Sequence, residues 1–161
     1  MADATFNILF LSRHNAARSI LAEAVVNHKG RGRFLAFSAG SEPSPEIDPL
    51  VLDVLKLADY PTDGLHPKHW KDLTGANAPA LDFVFALCDP GAGEDAPPWP
   101  SQELTADWRY PDPIAHEGEE WERRKAIGET LAALERQFSI FAQLPPESLA
   151  AKSLRAGQRA A

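Results

Sequence analysis

Residues 12–19 read Ser-Arg-His-Asn-Ala-Ala-Arg-Ser, directly after the apolar run Ile8-Leu9-Phe10-Leu11 and directly before Ile20, Leu21, Ala24 and Val25 at helical spacing. A strand that ends in a tight loop and re-enters as a helix leaves the first backbone N–H groups of that helix without internal partners. It also turns the positive end of the helix dipole toward the loop. Such a place holds anions. Arg18 can fold its planar fork of donors over the same concavity, and that fork suits a tetrahedral oxyanion such as phosphate or arsenate. The stretch is not a nucleotide-binding loop of the glycine-rich kind, since it has no glycine and no lysine ahead of Ser19. Its first residue, Ser12, is an alcohol. A serine nucleophile needs an adjacent general base, and the motif supplies none.

Two further positions could do chemistry. Asp112 stands between Pro111 and Pro113; two prolines hold its carboxyl on a stiff support, as a turn residue would be held. Cys88 is the one cysteine in the chain and opens a stretch rich in Pro, Gly and acidic residues over 88–100. A single cysteine excludes an internal disulfide and a cysteine-rich zinc site. It reads equally well as a buried small apolar residue at a strand end. His66 and His69 are three residues apart, a poor metal site without further ligands, and no metal is expected. Glu117, Glu119 and Glu120 suit the solvated start of a helix.

These positions need a scaffold, and the hydrophobic pattern supplies one. Phe6, Ile8 and Phe10 alternate with Asn7, Leu9 and Leu11, so that residues 4–11 read as a strand whose end is apolar on both faces. A helix over 16–28 follows, stopped by Gly30 and Gly32, and then a second strand over 33–39. Asp48 as N-cap and Pro49 as first helical residue open a second helix. Residues 66–73 suit a short helix, 81–87 a third strand and 104–108 a fourth. In the last helix Ile127, Leu131, Leu134, Phe138 and Phe141 fall on one face, and Pro145-Pro146 ends it. Strands alternating with helices predict an α/β architecture with a parallel sheet. In such sheets ligands bind beyond the carboxyl ends of the strands. The loops at Ser12, Cys88 and Asp112 each follow a predicted strand and should meet at that edge.

With 161 residues and 44% hydrophobic content, the chain is expected to form one globular domain over 1–145, with 146–161 as a tail that is partly disordered. Its formal net charge of −7 argues against nonspecific binding to nucleic acid or to anionic membranes. No apolar run approaches the ~20 residues needed to span a bilayer, and no basic-then-apolar leader is seen, so a cytoplasmic protein is expected.

The stretch Ser12 to Ser19 resembles the phosphate-binding loop of the low-molecular-weight protein tyrosine phosphatases and the related thiol-dependent arsenate reductases. The match rests on Asn15, Arg18, Ser19 and the following Leu21-Ala22-Glu23. The resemblance implies a three-layer sandwich of flavodoxin-like type around a four-stranded parallel sheet. It implies an oxyanion-binding loop made of Arg13, His14, Asn15, Ala16, Ala17, Arg18 and Ser19. Arg18 would bind the equatorial oxygens, Asn15 would hold the loop, and Ser19 would donate toward residue 12. Arg13 and His14 depart from the family's smaller residues and read also as a solvated loop edge. Asp112 would be the general acid, and Cys88 would belong to a redox loop.

Two differences stand out. The family's nucleophile is a cysteine, and this chain has Ser12. The reductases' resolving cysteine, some eight residues after the first, falls here on Ala96. The helix start and Arg18 could lower a thiol pKa to about 3.5–7.5, but a hydroxyl starts several units higher. Attack on the oxyanion by residue 12, with Arg18 and Asp112 assisting, is therefore expected to be silent or nearly so. Trp99-Pro100 and the segment 108–113 resemble the arsenate reductases more than the phosphatases. The resemblance implies thiol-linked arsenate reduction as ancestral chemistry, with phosphate-monoester hydrolysis and oxyanion sensing without turnover as alternatives. Ligands would be phosphate, arsenate or a sulfate-like oxyanion. Thioredoxin or another thiol donor would be the partner, and no cofactor is implied.

Overall fold

The computed structural model describes residues 5–75, 78–89, 93–95, 97, 99, 104–115 and 117–156. Four strands form one sheet: β1 (Phe6–Ser12), β2 (Phe34–Gly40), β3 (Phe83–Cys88) and β4 (Ala106–Arg109), in the order β2-β1-β3-β4. Every pairing is parallel, with Ser12 opposite Gly40, Phe10 opposite Phe85 and Cys88 opposite Arg109. The helices are α1 (Arg18–Lys29), α2 (Pro49–Leu57), α3 (Glu120–Ala142) and α4 (Pro146–Lys152).

The alternation in β1 divides the core as the sequence predicts. Phe6, Ile8 and Phe10 point into the larger cluster, with Ile20, Leu21 and Val25 of α1, Leu50, Val51 and Leu55 of α2, and Ile127, Leu134 and Phe138 of α3. Leu9 and Leu11 point the other way, into a smaller cluster with Ala39 and Val84. Among the described residues, that second face is covered by Phe37, Trp70, Leu73, Leu81, Trp99 and Leu104 rather than by a full helix. The short helix expected over 66–73 is a 3₁₀ turn, Trp70–Leu73. Asp48 caps α2 as expected, its carboxylate accepting from Leu50 N at 2.9 Å, and Arg123 of α3 reaches the other carboxylate oxygen at 3.2 Å. Strand and helix ends differ from the expected ranges by one or two residues, the usual scatter of hydrogen-bonded boundaries.

Beyond Pro145 the chain does not leave the fold at once. Leu149 of α4 is fully buried in the larger cluster. The segment after α4 is pinned to the start of β3: Leu154 N donates to Asp82 O at 2.8 Å, and Arg155 reaches the Asp82 carboxylate through Nη2 at 2.7 Å and Nε at 3.1 Å. Residues 146–156, grouped with the tail in the sequence reading, thus include a packed helix and a charged anchor. Residues 157–161 lie outside the described residues.

Candidate oxyanion site

β1 ends at Ser12 and α1 begins at Arg18, so only a short loop separates strand from helix. The residue at the N-cap of α1 is Ala17, which makes no side-chain cap bond. A methyl group cannot satisfy the first N–H groups of the helix, and they remain available to a ligand. Ser12, His14, Asn15, Ala16, Ala17 and Arg18 line a small cup here, closed on one side by Asp112 and Ile114.

The loop backbone is braced from three directions. Asn15 takes a left-handed φ of 48°, which Asn tolerates better than most residues. Its Oδ1 accepts from Lys68 N at 2.9 Å and its Nδ2 donates to Ser19 Oγ at 2.7 Å. Ser19 Oγ lies 2.5 Å from Ser12 Oγ. Glu42 N and Ser44 N donate to Arg13 O at 2.8 Å and His14 O at 2.9 Å. Gly40 closes β2 against the loop: a Cβ there would stand 2.7 Å from both Ser12 O and Arg13 O, a distance that only glycine avoids.

Lys68 lies on the segment that supports Asn15, and its ammonium is itself held inside the fold. Nζ donates to Ser38 O and His66 O, each at 3.0 Å, and lies 4.0 Å from Glu23. Burial lowers the Lys68 pKa despite the pull of Glu23 and Asp72. Burial raises that of Glu23, against the Ser38 hydroxyl, which donates to it at 2.5 Å, and against Lys68.

Arg18 is 3% exposed, and both of its terminal guanidinium nitrogens are hydrogen-bonded. Nη1 and Nη2 grip Glu94 at 2.6 and 2.8 Å, and Nη1 also donates to Tyr110 O at 3.1 Å. Asp112 Oδ2 lies 3.8 Å from Nη2. Burial opposes the Arg18 charge, but the hydrogen bonds to Glu94 and the charges of Asp112 and Glu94 outweigh it and raise the pKa. Glu94 is not among the residues lining the cup. It grips both Nη atoms of the arginine, and it also accepts from Asp89 N at 2.8 Å, tying the loop after β3 to the same point. This fork-to-fork pairing fixes the guanidinium plane.

The structure therefore brings Ser12, Asn15, Ala16, Ala17, Arg18, Ser19 and Asp112 to one place at the carboxyl edge of the sheet. His14 lines the cup and turns Nδ1 to Glu42 O at 3.0 Å. Arg13 faces outward, half exposed, with its Nε 3.0 Å from Glu42 Oε2. Cys88 is buried at the end of β3 and is not among the lining residues. Burial pushes its thiol up, with Asp107 and Glu94 adding to the effect and Arg18 and Arg109 opposing it. Ala96, the expected counterpart of a resolving cysteine, lies outside the described residues. His66 and His69 each engage Nδ1 within their own loop, with Gly64 O and Lys71 N at 3.0 Å.

Sequence reasoning assigned no role to Glu94 or Lys68. The only signal for Glu94 is an acidic residue in a loop at the right edge of the sheet, a description that Asp89 and Asp95 share. A measurable consequence follows from its pairing. The Arg18 hydrogen bonds hold the Glu94 carboxyl below the usual range, against its partial burial. Its contribution to stability is thus present above the unfolded-state value of about 4.3 and is lost as pH falls through the folded-state value. Glu94→Gln should flatten the acid limb of the stability curve measured by urea midpoints from about pH 5 downward. An unchanged limb would show that the pair contributes nothing. Glu23, with its raised pKa, carries the opposite sign: its contribution is lost as pH rises through its folded-state value.

The family model described as low molecular weight phosphotyrosine protein phosphatase matches residues 7–153. A glutaredoxin arsenate reductase from Synechocystis sp. is 29% identical over 107 residues, covering 66% of this chain and 77% of that protein. Among solved structures, a thioredoxin-dependent arsenate reductase from Corynebacterium glutamicum superposes with a TM-score of 0.59 at 28% identity, over 86% of this chain; the chain spans 63% of that structure's length. An arsenate reductase in a phosphate-binding state gives a TM-score of 0.59 at 25% identity, over 83% of this chain and 98% of the other.

Proposed function

This chain belongs to the low-molecular-weight phosphotyrosine protein phosphatase family, and we propose that within it the chain binds a tetrahedral oxyanion of the arsenate and phosphate class in the cup at 12–18 and turns it over slowly or not at all. The observation that carries this is the pairing of an intact cradle with an unactivated floor. Arg18 is buried and its plane is fixed by Glu94, and the helix start beside it is uncapped. At the position the family reserves for a thiolate, Ser12 has Ser19 as its side-chain partner. A hydroxyl cannot serve as a strong base for another hydroxyl, so nothing in the loop ionises Ser12 near neutral pH.

Relatives named as arsenate reductases favour arsenate over an organic phosphate as the ancestral substrate. In that chemistry residue 12 attacks arsenate, Asp112 protonates the leaving oxygen, and thiols complete the reduction. Cys88 is the single thiol of this chain, and a relay of the reductase kind needs more than one. A role as an oxyanion sensor fits the same features, and a thiol donor such as thioredoxin or glutaredoxin would regain meaning only with a reactive residue 12. Among the described residues no helix is long and apolar enough to cross a membrane.

Calorimetric titration of the wild-type chain with arsenate and phosphate tests the binding. Saturable binding is expected, and Arg18→Ala should weaken it by at least about thirtyfold, the worth of roughly 2 kcal/mol of charge-assisted hydrogen bonds. Absence of binding, or equal affinity in the variant, would refute the proposal.

A further inference from the structure

The hydrogen bonds beneath the cup run in one direction, and that direction decides what Ser12 offers a ligand. The Lys68 backbone N–H can only donate, and it meets Asn15 Oδ1 at 2.9 Å. The other end of the same amide, Nδ2, must then be the donor to Ser19 Oγ at 2.7 Å. Ser19 is fully buried, and among the described residues the acceptor for its hydroxyl proton is Ser12 Oγ at 2.5 Å. A buried hydroxyl makes the bond within its reach, so Ser19 donates and Ser12 receives. The proton of Ser12 is left to point into the cup. The relay from Lys68 through Asn15 and Ser19 therefore ends in a donor.

The rim carries the opposite polarity. Asp112 lines the cup, with Oδ1 accepting from Ile114 N at 3.2 Å and Oδ2 3.8 Å from Arg18 Nη2. Each carboxylate oxygen has a second lone pair, and a carboxylate only accepts. The cup thus offers donors at its floor and wall and the Asp112 carboxylate as an acceptor at its mouth. Sulfate, with four bare oxygens, would set one of them against that carboxylate. Hydrogen phosphate or hydrogen arsenate, of equal charge and similar shape, has a single O–H to give it.

We infer that the cup selects a tetrahedral dianion that keeps one proton, hydrogen arsenate or hydrogen phosphate, over sulfate, with Ser12 donating to a bare oxygen and Asp112 accepting from the protonated one. This rests on the reading of the loop as an oxyanion site. A site built to pair a ligand hydroxyl rejects the analogue that lacks it, because its own polar group is left opposed. Asp112 is partly exposed, so the discrimination is moderate.

The test titrates arsenate, phosphate and sulfate at one mildly alkaline pH, where all three are dianions. Arsenate and phosphate should bind at least about tenfold more tightly than sulfate. Asp112→Asn keeps the shape and can keep the Ile114 bond while adding a donor, and it should close or invert that ratio. Ser12→Ala should weaken all three by a similar factor, about tenfold, with thermal melts confirming that both variants fold. Sulfate binding as tightly as phosphate, or a ratio unmoved by Asp112→Asn, overturns the selectivity while leaving oxyanion binding intact. Equal affinity in Ser12→Ala overturns the donor role of Ser12. Failure of all three anions to bind the wild-type chain removes the oxyanion site itself.

Discussion

Ser12→Cys is expected to turn a binding loop into a reactive one. The surroundings already suit a thiolate: the uncapped start of α1 and the buried Arg18 both favour negative charge at residue 12. Together they can bring a thiol pKa to about 3.5–7.5. Ser19 already points its proton at this position, so a thiolate gains a charge-assisted hydrogen bond with no rearrangement. Asp112 stands at the rim, where a leaving oxygen would need a proton. Loss of a nucleophile costs enzymes up to about 10⁶-fold in kcat, so its restoration should raise aryl-phosphate hydrolysis or arsenate-dependent thiol oxidation by on the order of 10³-fold or more. Adding Cys88→Ser separates the two chemistries. Reduction lost with hydrolysis retained assigns Cys88 to a redox relay, and both retained assigns it to the core. No gain in either assay from Ser12→Cys would mean that the loop is shaped for holding an anion and not for attacking it.

What was legible in the sequence is what local pattern encodes. The alternation in β1 separated Ile8 and Phe10 from Leu9 and Leu11, and those two sets occupy the two faces of the sheet. Asp48-Pro49 marked the start of α2 because a cap acts within a few residues of itself. Asn15, Arg18 and Ser19 were visible because the loop is contiguous. The contacts that complete the site are not contiguous. Glu94 meets Arg18 across 76 residues and Lys68 meets Asn15 across 53. Neither carries a local signature, since any acidic residue or any backbone N–H could in principle fill the role. Only the parallel order of the strands, which gathers their carboxyl ends, selects the partners. The 3₁₀ turn Trp70–Leu73 shows the same limit. Its two large apolar residues face a sheet surface, and their pattern is satisfied by four residues of turn as well as by a longer helix.

The anchor at the opposite edge of the sheet is the clearest case, and it carries the second large effect. Asp82 is 0% exposed. Its carboxylate accepts from Asn7 N at 2.8 Å, Ser153 Oγ at 2.6 Å and both Nη2 and Nε of Arg155 at 2.7 and 3.1 Å. Breaking a buried pair by removing one partner costs about 3–5 kcal/mol, because a buried charge is left behind. Arg155 is itself one-quarter exposed, so water can follow into the gap and Arg155→Met should fall at the lower end, near 3 kcal/mol, read as a drop in urea midpoint at constant m. Asp82→Asn in the same chain removes the buried charge that has lost this partner and should recover part of that loss. A loss below about 1 kcal/mol in Arg155→Met would place the pair with ordinary surface ion pairs instead. Asp82 precedes β3, beside the start of β1, whereas the cup lies where β1 ends. Sites at opposite ends of a strand couple weakly. Folded Arg155→Met should therefore bind arsenate and phosphate with wild-type affinity, and Arg18→Ala should lose that affinity with the Asp82 anchor intact.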